Sequence, residues 1–142
     1  MLREEHVSFE TAKLLKEKGF EECVRHYYFT EITHVGFKDY PIGVLYTDSE
    51  PQFQNNYKNK VAAPNLHIVM KWLREIHQIY ISIECCYDKS VYYTFDIFRI
   101  KDGQYEFIGC SGPDEDTDDW SVDYSYEKAE NRAIDYCLMH LL

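Results

Sequence analysis

The chain has 142 residues, 25 of them acidic and 15 basic, with a net charge of −10 and 45% hydrophobic residues. This length suits one domain that can bury a core without disulfide or metal staples. The negative balance disfavours nucleic acid and anionic membrane surfaces as default partners, because both would repel it.

The spacing predicts a first helix over Ser8 to Gly19, with Ser8 as its cap and Phe9, Ala12, Leu15 and Leu14 on its buried side. Gly19 can take the left-handed position after the helix, and Phe20 can fold back as the apolar contact of a Schellman ending. Cys23 to Ile32 is β-branched and aromatic enough for a strand. Pro41 to Thr47 is a short second candidate in which Gly43 favours an edge or a bulge. Asp48 to Lys60 is polar, is broken by Pro51 and reads as a long surface loop.

The chain is organised around Ala63 to Glu84. Leu66, Val69, Met70, Leu73 and Ile76 recur at helical intervals, and Pro64 suits the first turn. On the other side His67, Lys71, Arg74 and Gln78 form a polar column. Near His77 the period changes from helical to alternating: Ile79, Ile81, Ile83 and Cys85 point one way, Tyr80, Ser82, Glu84 and Cys86 the other. A turn at Tyr87 to Ser90 leads into a strand over Val91 to Ile100. Asp102-Gly103 is the favoured pair for a two-residue type I′ hairpin. Its register sets Ile100 against Tyr105, Arg99 against Glu106, Phe98 against Phe107 and Ile97 against Ile108. Phe98, Ile100, Tyr105 and Phe107 then share one face.

Gly112 to Asp123 follows as an acidic loop carrying Asp114, Glu115, Asp116, Asp118, Asp119 and Asp123, with Trp120 as an aromatic anchor. Ser125 to Leu142 makes the last helix. Ala129, Ala133, Tyr136, Cys137, His140 and Leu141 mark its buried side, and the two alanines permit a close approach to the sheet. The expected fold is α+β: an antiparallel sheet with helices packed on one face, and a C-terminal half in the order α-β-β-β-α.

Motifs with chemistry are few. Asp114, Asp116 and Asp118 alternate as in a calcium loop, but the required glycine and final glutamate are replaced by Asp119 and Ser125. The six histidines do not cluster, so neither a metal nor another cofactor is implied. The five cysteines are odd in number and lack a CxxC, which fits reduced thiols in a cytoplasmic protein. Cys110 is the one cysteine at a plausible loop mouth, and the acidic loop beside it opposes thiolate formation. No apolar run approaches the roughly 18 residues of a membrane span, and MLREEHVSFE does not read as a signal peptide. Thirteen tyrosines and eight phenylalanines fit aromatic strands first and an interaction surface second.

From Pro64 onward the order helix–strand–strand–strand–helix resembles a double-stranded-RNA-binding domain in topology alone. The lysines which that family places at the start of its last helix are here Tyr126, Glu127 and Glu130, with only Lys128 positive, so RNA binding does not carry over. SFETAKLLKEKGFEE (Ser8 to Glu22), APNLHIVMKWLREIHQIYISI (Ala63 to Ile83) and SYEKAENRAIDYCLMHL (Ser125 to Leu141) resemble another group. These are small uncharacterised proteins of gut anaerobic bacteria and of the phages and prophages they carry. That resemblance implies a cytoplasmic, phage-related accessory protein, and the group supplies no activity, cofactor or catalytic residue to transfer.

Three functions are therefore weighed. The first is a non-catalytic protein-interaction module. Its surface is the column His67, Lys71, Arg74 together with Asp114, Asp116, Asp118, Asp119 and Trp120, and it binds a protein partner or a second copy as a homodimer. The second is nucleic-acid binding through Lys58, Lys60, Lys71 and Arg74. The third is a small enzyme with an unrecognised site.

Overall fold

The structure, a computed structural model, describes residues 2–111 and 123–142. It is α+β, with three α-helices and eight strands in antiparallel sheets among those residues. The chain divides into two compact units, Met1–Leu66 with Leu142, and His67–Leu141.

In the first unit, helix α1 (Phe9–Glu17) is capped by Ser8, whose Oγ accepts from the Thr11 N–H at 3.2 Å. Gly19, at φ 84°, ends it as predicted. The Gly19 N–H donates to the Lys16 carbonyl at 3.2 Å and the Phe20 N–H to the Leu15 carbonyl at 3.0 Å, the two bonds of a Schellman motif. Phe20 is thereby delivered to the core. Strand β1 (Val24–Phe29) follows. Next comes a hairpin of β2 (Thr33–Val35) and β3 (Lys38–Tyr40), which sequence patterning missed because each arm is only three residues long. Strand β4 (Tyr46–Gln52) and strand β5 (Lys60–Ala62) flank β1 in a three-stranded sheet. Alternation along β1 gives its faces different tasks. Tyr28 turns toward α1, its hydroxyl donating to the Val7 carbonyl at 2.7 Å, while Tyr27 and Phe29 point to the opposite face.

Two expectations for this unit need correction. The predicted strand at Pro41 to Thr47 begins only at Tyr46, and Gly43, at φ 75°, interrupts what precedes it. The segment read as a surface loop, Asp48 to Lys60, holds most of β4 and a 3-10 turn at Gln54–Asn56. Side-chain amides pin that turn. Gln54 is fully buried, its Nε2 donating to the Val24 carbonyl at 3.2 Å and to Asp48 Oδ2 at 2.7 Å. Asn55 Nδ2 donates to the Phe20 carbonyl, and its Oδ1 accepts from the Ala62 N–H, both at 2.7 Å. Polar residues that read as solvent-facing serve here as internal hydrogen-bonding partners for the backbone.

In the second unit, helix α2 (Leu66–His77) starts on the last residue of the first unit and runs into strand β6 (Ile79–Asp88) through Gln78 alone. Gln78 sits at φ 58°; its N–H bonds the Arg74 carbonyl at 3.1 Å and its carbonyl accepts from the Ile100 N–H at 3.3 Å. Pro64 stands before α2 rather than inside its first turn, with its carbonyl accepting from the Val7 N–H at 3.1 Å. The buried stripe of α2 is Leu66, Val69, Trp72 and Leu73; Ile76, predicted inside, is 60% exposed.

Strand β7 (Ser90–Lys101) lies between β6 and β8 (Gln104–Cys110). Asp102 and Gly103 take φ 52° and 74°, as a type I′ turn requires. The predicted pairs Ile100–Tyr105, Arg99–Glu106 and Phe98–Phe107 all form. Ile97 then pairs with Gly109 rather than with Ile108, because β8 carries a bulge there. Helix α3 (Tyr126–His140), capped by Ser125, packs against β7 and β6. Its buried residues are Ala129, Glu130, Ala133, Ile134, Cys137 and Leu138. The expected stripe is therefore rotated: Tyr136 and His140 lie outside, with their rings 4.8 Å apart.

Gln78 adopts a left-handed conformation that favours glycine, which has no Cβ to clash. Gln78→Gly should raise stability by up to about 1 kcal/mol in urea unfolding, and a loss of stability would show that the glutamine side chain supports the junction.

Candidate interaction surfaces

The predicted column of His67, Lys71 and Arg74 is exposed on α2. Two of its members already have acidic neighbours. Arg74 Nε lies 3.2 Å from Glu75 Oε1, and His67 Nδ1 lies 4.0 Å from Glu130 Oε1. The other half of that expected surface, Asp114, Asp116, Asp118, Asp119 and Trp120, lies outside the described residues. The basic quartet is divided, Lys58 and Lys60 in the first unit, Lys71 and Arg74 in the second. The Lys60 ammonium rests over aromatic rings, 4.2 Å from the centre of Tyr27 and 4.7 Å from that of Tyr57.

Glu130 was not anticipated as a buried residue. Its side chain is 2% exposed and Oε1 has no hydrogen bond within the described structure. Burial pushes its carboxyl above the usual carboxylate range; His67 opposes that shift and Glu127 adds to it. His77 Nε2 is likewise buried without a hydrogen bond, its ring edge-on to Trp72 at 4.5 Å. Burial, and then the Arg99 charge, lowers the His77 pKa. Burial pushes the Cys137 thiol up to about 12, so it stays protonated and inert. Cys23, Cys85 and Cys110 are exposed. Among the described residues, no group of three or more His, Cys, Asp or Glu side chains is placed to hold a metal ion.

The most distinctive surface belongs to the three-stranded sheet of the second unit. Antiparallel pairing sets opposed residues on a common face. Ile79, Phe95 and Ile97 are buried on the face that α3 covers, where the Arg132 guanidinium lies 5.7 Å from the Phe95 ring. The opposite face carries a row of rings across all three strands. Tyr80 stacks on Phe98 at 5.5 Å with planes 10° apart, and Phe98 meets Tyr105 at 5.4 Å. Beside them Ile100, Tyr105 and Phe107 are 39%, 65% and 53% exposed.

Strand β8 is the end of this sheet. Among the described residues its outer edge has no partner, it contains neither Pro nor Lys, and Glu106 is its one charged side chain. Charged residues, prolines and bulges are the usual protection of such edges, and β8 has only the bulge and the single charge of Glu106. At the hairpin tip a shallow cavity of about 490 Å³ is lined by Arg99, Lys101, Asp102, Gln104, Tyr105 and Glu106. Two positive and two negative side chains leave that tip without net charge. Farther along β7, Asp123 pairs with Tyr93 through backbone bonds of 2.7 and 3.2 Å, and its Oδ2 accepts from Arg132 at 2.7 Å. That contact fixes the approach to α3.

The hairpin sequence correctly placed Phe98, Ile100, Tyr105 and Phe107 together. It carried no sign of which face α3 would cover, because both faces of β7 bear large apolar residues. In comparisons with protein-family models, curated proteins and solved structures, nothing matches the chain.

Because the Glu130 pKa is raised in the folded state, its contribution favours folding at low pH and is lost as pH rises through the folded pKa. Glu130→Gln should therefore stabilise the protein at neutral pH, with the gain shrinking toward pH about 4. A gain equal at both pH values would mean that Glu130 titrates normally. A thiol reagent should modify Cys23, Cys85 and Cys110 in the native protein and reach Cys137 only on unfolding, with peptide mapping identifying each site.

Proposed function

We propose that the chain is a non-catalytic protein-interaction module, a phage-related accessory protein of the kind its helical segments resemble. In this reading it acts by pairing with a second copy of itself along β8. The observation that carries the reading is the bare edge of β8 beneath exposed Tyr105 and Phe107.

Charge favours a second copy as the occupant. The whole chain carries −10, which would resist self-association at most surfaces, but the β8 hairpin tip is neutral. Antiparallel pairing about a two-fold axis at Phe107 sets Phe107 against Phe107 of the second copy. It also sets Glu106 against Ile108 and Tyr105 against Gly109 of that copy. Like charges are kept apart, a ring covers a glycine, and the cross-strand aromatic pair adds stability. Every strand pair among the described residues is already antiparallel, so the pairing extends the sheet in its existing sense.

An interface of strand hydrogen bonds and rings differs from a charged one in its response to salt, which screens exposed ion pairs. Sedimentation velocity should show a dimer at both low and high ionic strength, and Phe107→Asp should yield a folded monomer. A wild-type monomer in both buffers would overturn the reading. A dimer that dissociates on adding salt would move the contact to the His67, Lys71, Arg74 column.

A further inference from the structure

The first unit has an aromatic face of its own. Register puts Tyr27 opposite Tyr46 and Phe29 opposite Lys60, on the side of the sheet away from Tyr28. Tyr40 closes on these rings, 5.4 Å from Phe29 and 5.3 Å from Tyr46. The Lys60 ammonium sits among them, 4.2 Å from the ring centre of Tyr27, 4.7 Å from Tyr57 and 5.7 Å from Phe29. Among the described residues the contacts shown for Lys60 Nζ are these three π faces. Lys13 over Phe9 and Lys38 over Tyr40 each meet one ring, whereas Lys60 meets three.

We propose that Tyr27, Phe29 and Tyr57 form a binding cradle for a small quaternary ammonium group, which Lys60 occupies when no such ligand is present. Hydration separates the two kinds of cation. A primary ammonium is compact and strongly hydrated, so it gives up much in leaving water for a ring face. A methylated ammonium spreads its charge over a larger apolar surface and is the cation aromatic cages receive best. Lys60 is half-buried on a flexible stem rising from β5, so its head can swing to solvent without disturbing the strand. Tyr57, 48% exposed, forms the open wall through which a ligand enters. Asp48 stands close enough to Tyr27 to raise its pKa, after burial itself, and adds attraction for a cation.

The test uses the full chain and two probes, tetramethylammonium and choline, followed by the ring NMR signals of Tyr27 and Tyr57. Both probes should give saturable shifts. Lys60→Ala, which removes the internal competitor, should tighten binding roughly two- to fivefold, the worth of one exposed cation–π contact. Tyr57→Ala should abolish the shifts, and ammonium chloride at equal ionic strength should produce none. Free Nε-trimethyl-lysine, set against choline, separates a side-chain source of the cation from a headgroup-like one, and saturation by either supports the proposal. Should Lys60→Ala lose its far-UV circular dichroism, Lys60→Gln takes its place. Absence of saturable shifts in a folded Lys60 variant, or equal shifts with plain ammonium, overturns the proposal.

Discussion

Strand β7 is paired along its length with β6 and over its second half with β8. This double pairing holds Phe95 and Ile97 rigidly toward α3 and, by the same alternation, holds Phe98 and Ile100 away from it. One face of the sheet must be covered because two fully buried helix alanines, Ala129 and Ala133, let α3 lie close against it. The other face must then show whatever its alternate positions carry, and they carry rings. The open aromatic surface is thus a geometric consequence of how β7 is buried.

Much of this was legible in the sequence. Asp102-Gly103 specifies a turn whose two positive φ angles few residue pairs accept, so three of four predicted cross-strand pairs follow. The fourth fails at the bulge of Ile108, which no local signal announces. Ser8, Gly19 and Phe20 likewise mark the start and end of α1 through specific backbone bonds. Stripe assignments fared less well. On α2 both Ile76 and Trp72 continue an apolar pattern, and only tertiary packing decides that Trp72 is buried. On α3 the charged Glu130 was not read as part of the buried side, although its position beside Ala129 and Ala133 puts it inside.

The candidate surfaces were less legible than the fold. The exposed column of His67, Lys71 and Arg74 follows from helical periodicity, yet Glu75 and Glu130 engage two of its members in ways spacing cannot show. Lys60 reads as a basic surface residue, and its ring environment depends on β1 pairing with β5, two strands with thirty residues between Phe29 and Lys60. Aromatic content pointed toward an interaction role without locating it. In both units the location comes from strand register, which in the second unit places rings on the face turned from α3 and in the first gathers Tyr27 and Phe29, themselves buried, beneath Lys60.

The central claim is that the outer edge of β8 seeks another strand, and amide hydrogen exchange as a function of protein concentration addresses it most directly. The outward-facing amides between Gln104 and Cys110 should exchange quickly in dilute solution and become protected as concentration rises, while β6 amides remain unchanged. Exchange at β8 that stays fast at every concentration would contradict the account.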